Sequence, residues 1–306
     1  MDRMRGMHWL VLLAAATGLG SSFLFIKLSI GELPPLTIAA VRAVVAAVAV
    51  WLFAITAGQW QPTKTTAWKA LAVVGLLMGA VPFATIAWGQ LYISSALAGT
   101  LFATLPLFSV LVSPWIAKDE PLTGRRIGGG LVGVAGVAIV LGPEALLALK
   151  AGLWGGGLTL LAALSYGVGT AYARRHRGIP SVVMAVGQMT MATVLLVPAA
   201  AIVDGPLAVA AATPRTWAAL LALGTLSSAV PMVLLFWLVR RTGAVSASLV
   251  PLFMPVAAVL LGGVVLGEPV PWTLIAGLVV LLAASWAITS RSPTPAGQLA
   301  PDPSRA

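Results

Sequence analysis

Apolar runs of roughly 20 residues recur along the whole of this 306-residue chain with almost no charge inside them, and that recurrence limits the fold more than any motif does. A bilayer core offers no water to backbone N–H and C=O groups, so a run of this length and polarity has to satisfy them within itself, as a spanning helix. Only 8% of the residues are Asp, Glu, Lys or Arg, and 59% are hydrophobic. Ten such runs can be read, at 8–29, 34–57, 68–90, 95–117, 125–143, 151–172, 182–203, 216–239, 245–266 and 270–290. The expected fold class is an all-α polytopic membrane protein. Connections between runs are short and leave no room for a soluble catalytic domain, so function has to be carried among the helices.

A net charge of +10 suggests an acidic partner until the 18 basic residues are placed. Taking alternate connections, 14 collect on one side: Arg3, Arg5, Lys64, Lys69, Lys118, Arg125, Arg126, Arg174, Arg175, Arg177, Arg240, Arg241, Arg291 and Arg305. The other side holds Lys27, Lys150 and Arg215, and Arg42 lies within the second run. The positive-inside rule then predicts ten crossings with both termini cytoplasmic, in a cell inner (plasma) membrane. Nucleic acid is not an expected partner. Zero cysteines exclude disulfides and thiolate metal sites. The first run continues through Phe23 to Ile30 and so is read as a span rather than a cleaved leader. The Pro-, Ala- and Ser-rich tail at 291–306 is expected to be disordered.

Shifted by 149 residues, the chain overlays itself. Trp68 meets Trp217, Gly75 meets Gly224, the triplet Ala80-Val81-Pro82 meets Ala229-Val230-Pro231, Trp88 meets Trp237 and Pro106 meets Pro255. Asp-Glu-Pro at 119–121 meets Gly-Glu-Pro at 267–269 after one residue of slip. Two five-helix repeats are read from this, 1–145 and 146–290. Five is odd, so the second copy enters the membrane upside down. The charges agree: KDEPLTGRR in the first copy answers to GEPVPW in the second, and the IGELPP connection at 30–35 answers to RRHRGIP at 174–180.

GSSFLFIK at 20–27, ATLPLFSVL at 103–111 with its copy LFMPVAAVL at 252–260, and EPLTGRRIGGGLVGVAGV at 120–137 resemble the EamA-type permeases of the drug/metabolite transporter superfamily. The resemblance covers residues 8–290. It implies a ten-helix permease or exporter of small metabolites, with a cavity lined mainly by helices 1, 3, 4, 6, 8 and 9.

Paired, Gly/Pro-interrupted helices are the best pointer to a transporter's binding site. Pro82 and Pro231 each remove an amide donor in mid-helix and free a carbonyl, which either greets a ligand or marks a static kink. Pro106 and Pro255 share that argument more weakly. Ser21, Ser22 and Phe23 on the first helix, Thr85 and Thr104 on the third and fourth, and Tyr166 and Thr170 on the sixth supply hydroxyls and rings for a candidate cavity, or only interhelical bonds. Trp88 and Trp237 read as interfacial belt residues or as gates. Glycines at 128–130, 133, 136, 152, 156, 263 and 267 read as close helix packing.

An intramembrane charge is functional by default. Arg42 qualifies, though it could snorkel outward, and Lys27 lies near a helix end. All eight acidic residues and both histidines fall at helix ends or in loops, which leaves no proton carrier at depth. There is no GxxxxGK[ST], no HExxH and no aspartate pair, so neither cofactor nor metal is expected. The reading is therefore a permease for amino acids or related metabolites, acting by alternating access, with a small molecule and membrane lipid as partners, as monomer or homodimer. A lipid flippase or a membrane-embedded enzyme is the alternative.

Overall fold

The computed structural model describes residues 6–59, 65–116, 124–147, 149–176, 178–206, 208–242 and 250–289. The expected disordered tail, and the acids Asp119 and Glu120 of the KDEPLTGRR connection, lie outside them. Every regular element among the described residues is helical: α1 Gly6–Ile30, α2 Pro35–Thr56, α3 Thr65–Gly75, α4 Val81–Gly89, α5 Ser95–Phe102, α6 Leu105–Ile116, α7 Gly124–Leu147, α8 Leu149–Arg175, α9 Ser181–Val203, α10 Pro214–Gly224, α11 Val230–Thr242, α12 Val250–Leu266 and α13 Trp272–Thr289, with a short 3-10 turn at Ala208–Ala211. Six stretches, Gly6–Ile30, Pro35–Thr56, Ala67–Gly89, Ser95–Ile116, Ser181–Val203 and Pro214–Leu235, are long and apolar enough to cross a bilayer. Shorter apolar helices cover Ile127–Val140, Val250–Leu266 and Trp272–Ala287. This is a multi-pass helical membrane protein.

The starts of the helices follow from local chemistry. Pro35 occupies the first turn of α2, where a missing N–H costs nothing, and Pro214 does the same for α10. Ser94 caps α5 by accepting the amide of Leu97 at 3.1 Å.

Packing is small inside and large outside. On α2, Ala39, Ala43, Ala46, Val50 and Ala54 are buried at helical spacing, while Val44, Val48, Leu52 and Ile55 lie on the outer surface. Small residues let backbones approach, and a lipid-facing surface has no reason to be polar. The alanine face of α2 meets α9, in a cluster with Met189, Ala192 and Leu196.

Some glycines pack as expected and others do not. Gly133 lies against Leu107 and Gly136 against Leu281. Gly128 and Gly152 have nothing within 4 Å of where a Cβ would stand, so their spacing carries no contact there. Gly267 adopts φ +65°, a left-handed turn that ends α12.

Two short π-turns matter most for the site. Leu76–Ala80 joins α3 to α4 and Thr225–Ala229 joins α10 to α11, each directly ahead of a Val-Pro pair. In both, the valine amide reaches back five residues, Val81 to the Leu76 carbonyl and Val230 to that of Thr225. A proline that cannot donate makes this looser turn cheap, and such bulges concentrate at functional positions.

Candidate functional site

Between these π-turns lies a cavity of about 220 Å³. That is below the roughly 300–1,000 Å³ of sites for drug-sized ligands, so it has room only for a small molecule. α1 contributes Ser22 and Phe23, α4 contributes Pro82 and Phe83, and α8 contributes Tyr166 and Thr170. α2 adds Arg42, α9 adds Gln188, and the second π-turn adds Ser227 and Ser228. α5, α11 and α12 complete the wall with Phe102, Met232 and Met254. Compared with the helices implied by the resemblance, the second and seventh of the ten runs, here α2 and α9, are additional.

Arg42 stands about 10 Å along α2 from its start at Pro35, at 1.5 Å per residue. It does not snorkel outward. The side chain is 6% exposed and turns into the cavity. Its Nε donates to Ser228 Oγ at 3.1 Å, its Nη2 donates to Ser22 Oγ at 3.4 Å, and the guanidinium lies 3.9 Å over the Phe83 ring. Both serine hydroxyls send their own proton to their own helix, Ser22 to the Leu19 carbonyl at 2.5 Å and Ser228 to that of Leu223 at 2.9 Å. The two serines therefore present oxygen lone pairs to the guanidinium, and these orient it without neutralising it. Among the described residues, no carboxylate lines the cavity.

The carbonyls freed by Pro82 are claimed by side chains from other helices. Four residues back, Met78 O accepts Gln188 Nε2 at 3.1 Å; five back, Leu77 O accepts Ser165 Oγ at 2.8 Å. Pro82 itself lines the cavity. Pro231 is buried against Gly18 of α1, and its neighbour Met232 takes the place on the wall. Small glycine is required there, since a Cβ on Gly18 would stand 2.7 Å from the Pro231 ring.

The remaining expected residues hold the frame. Ser21 shares a 2.7 Å hydrogen bond with Ser227 and so ties α1 to the second π-turn. Thr170 shares one of 2.8 Å with Ser109, joining α8 to α6 at the edge of the cavity. Thr85 and Thr104 spend their hydroxyls on their own chain, at Val81 O and Leu101 O, and Pro106 and Pro255 are buried outside the wall. Trp88 packs onto the alanine cluster of α2 and α9. Trp237 lies 5.8 Å from the His8 ring with the Arg241 guanidinium 5.5 Å over it, away from the cavity. Lys27 donates to the carbonyls of Gln90 and Ile93, at 2.8 and 3.0 Å, and so fastens the end of α4.

Gln188, Ser227, Ser228 and the methionines went unread in the sequence. Gln188 and the two serines were discoverable by the signal that picked out Tyr166, a polar group within an apolar run. Met78, Met189, Met232 and Met254 were not, since methionine at helical spacing is indistinguishable from core.

The structure thus defines a helical membrane protein with a small internal cavity and an inward-turned charge. The sequence profile of the EamA-like transporter family matches residues 6–142 and again 153–290, and the chain belongs to that family. Among its relatives, the uncharacterized transporter YoaV of Bacillus subtilis is 24% identical over 263 residues, covering 86% of this chain and 89% of its own length. The uncharacterized inner membrane transporter YedA of Escherichia coli K12 is 27% identical over 252 residues, covering 81% and 79%. A solved crystal structure superposes with a TM-score of 0.64 at 20% identity over 93% of this chain and 97% of its own, a likeness of fold.

Proposed function

We propose that this transporter moves amino acids or related small metabolites through the Arg42 cavity by alternating access. Two inverted repeats, residues 1–145 and 146–290, exchange roles as inner and outer gate over ten crossings, with both termini cytoplasmic. The observation that carries this reading is the pair of π-turns. Leu76 and Thr225 are 149 residues apart, the same shift that overlays the two halves of the sequence, and both turns abut one cavity. Two weak points at equivalent places on either side of a site are what a rocking mechanism needs. Double matching of the family profile supports the same division.

Transport is driven by the substrate gradient. A proton-coupled antiporter holds at depth a group that changes protonation between the two access states, and among the described residues the cavity wall contains neither carboxylate nor histidine. Purified protein in vesicles preloaded with unlabelled neutral amino acids and their deaminated acids should take up labelled counterparts by exchange, with no pH gradient imposed. Accumulation that appears only with a pH step and collapses with an uncoupler would overturn the uncoupled mechanism, and absence of any saturable exchange would overturn the transport reading.

A further inference from the structure

We infer that the cavity recognises a small organic monoanion, a carboxylate on a short apolar body, which Arg42 pairs with directly; the inference rests on the cavity being the transport site. An isolated charge within a membrane protein is expensive and is kept where a partner or a task justifies it. Arg42 has no carboxylate among the described residues. A guanidinium carries five N–H donors. Two of them reach Ser22 and Ser228, which leaves three without a protein acceptor, on a side chain that lines the cavity. A planar fork with free donors fits a carboxylate, and an ion pair of this kind strengthens in a site that excludes water.

The rest of the wall defines the other end of the ligand. Phe23, Phe102 and Tyr166 stack edge to face, with centroids 6.0 Å apart at each step, and methionines and aliphatic side chains fill much of the remainder. This wall takes an aliphatic or small aromatic body and adapts to its shape. An α-ammonium fits poorly. It would share the cavity with Arg42, no acid among the described residues is there to receive it, and the face of Phe83 is already covered by the guanidinium. Within the class of amino acids and related compounds, deaminated or N-acylated members are therefore preferred over zwitterions, and amine cations are refused.

Isocaproate, leucine and leucinamide share one isobutyl side chain and differ in the head group, a carboxylate alone, a carboxylate with an α-ammonium, and a carboxamide with an α-ammonium, and so are anion, zwitterion and cation. Calorimetric titration of each into the full chain in lipid nanodiscs near neutral pH should rank them in that order, with isocaproate binding about tenfold or more tighter than leucine. Arg42→Gln should lose isocaproate affinity by about tenfold or more and flatten the ranking, and Arg42→Lys should recover part of it. If Arg42→Gln does not fold, the wild-type ranking still decides, together with competition by chloride against gluconate. Leucine or leucinamide binding as tightly as isocaproate overturns the inference, and so does a folded Arg42→Gln that keeps its affinity. Full displacement of isocaproate by chloride at equal concentration reduces the site to an inorganic-anion site and overturns the assignment to organic acids. Binding of none of the three also overturns it, while the exchange assay above judges transport separately.

Discussion

Pro82 withholds one amide proton, and the consequence can be followed atom by atom. In a regular helix that proton would go to Met78 O, and in the π register to Leu77 O. The structure supplies both from outside, Gln188 Nε2 for the first and Ser165 Oγ for the second. A kink that sequence reasoning offered to a ligand is thus already closed by the protein, and in the proposal above the ligand's polar partner is instead the arginine that lines the cavity. Gln188→Leu strands the Met78 carbonyl and should lower stability by about 1–3 kcal/mol. In a Pro82→Ala background the restored N–H can turn to that carbonyl, so Gln188→Leu should cost clearly less. Thermal unfolding of the two single variants and the double variant, followed by tryptophan fluorescence in one detergent, measures the coupling. Simple additivity of the two changes would show that the carbonyl is not what joins them.

At the scale of elements, the acids that the sequence placed harmlessly in loops turn out to fasten helix N-termini. The Glu32 carboxylate, between α1 and α2, accepts the amide and the hydroxyl of Thr213 at the start of α10, at 2.8 and 2.9 Å. Asp204, between α9 and α10, accepts the amide and the hydroxyl of Thr37 in the first turn of α2, at 2.7 and 2.8 Å. The exchange is reciprocal: each connection caps the helix that follows the other. Glu268, after α12, does the same for α5, accepting Ser95 N at 2.8 Å and Ala96 N at 3.0 Å. A carboxylate at a helix N-terminus meets free N–H groups and the positive end of the dipole. The Thr213 amide, above all, holds the Glu32 carboxyl below the usual carboxylate range. A depressed folded-state value means that the contribution is complete above the unfolded value of about 4.3 and is lost as pH falls through the folded one. The midpoint difference between wild type and Glu32→Gln should accordingly stay constant from about pH 8 to pH 5 and shrink below about pH 4. A difference that grows on acidification would contradict the clasp.

For the whole molecule, what was legible followed from polarity, from the internal repeat and from proline's missing amide. Apolar runs of spanning length stand out because the bilayer forbids unsatisfied backbone, and Arg42, Ser22, Tyr166 and Pro82 stood out as exceptions within those runs. Where the exceptions point was not legible. Whether Arg42 turns inward depends on Ser228 and Phe83, far away in sequence, and the clasps at Glu32 and Asp204 exist only once α2 and α10 lie side by side. Opposite orientation of the two repeats is the remaining large-scale expectation, and two glycines test it cleanly. Gly31 lies between α1 and α2, Gly178 lies at the corresponding place between α8 and α9, both are exposed, and an added Cβ at either meets nothing within 4 Å. A parallel duplication would put both loops on one side of the membrane. Inversion puts Gly31, in the connection without Lys or Arg, outside, and Gly178, beside Arg174 and Arg175, inside. The native chain has no cysteine to compete. In intact cells an impermeant maleimide should label Gly31→Cys and leave Gly178→Cys unlabelled until the membrane is permeabilised. Labelling of both from outside would defeat the inversion, and with it the alternation of two mirrored gates.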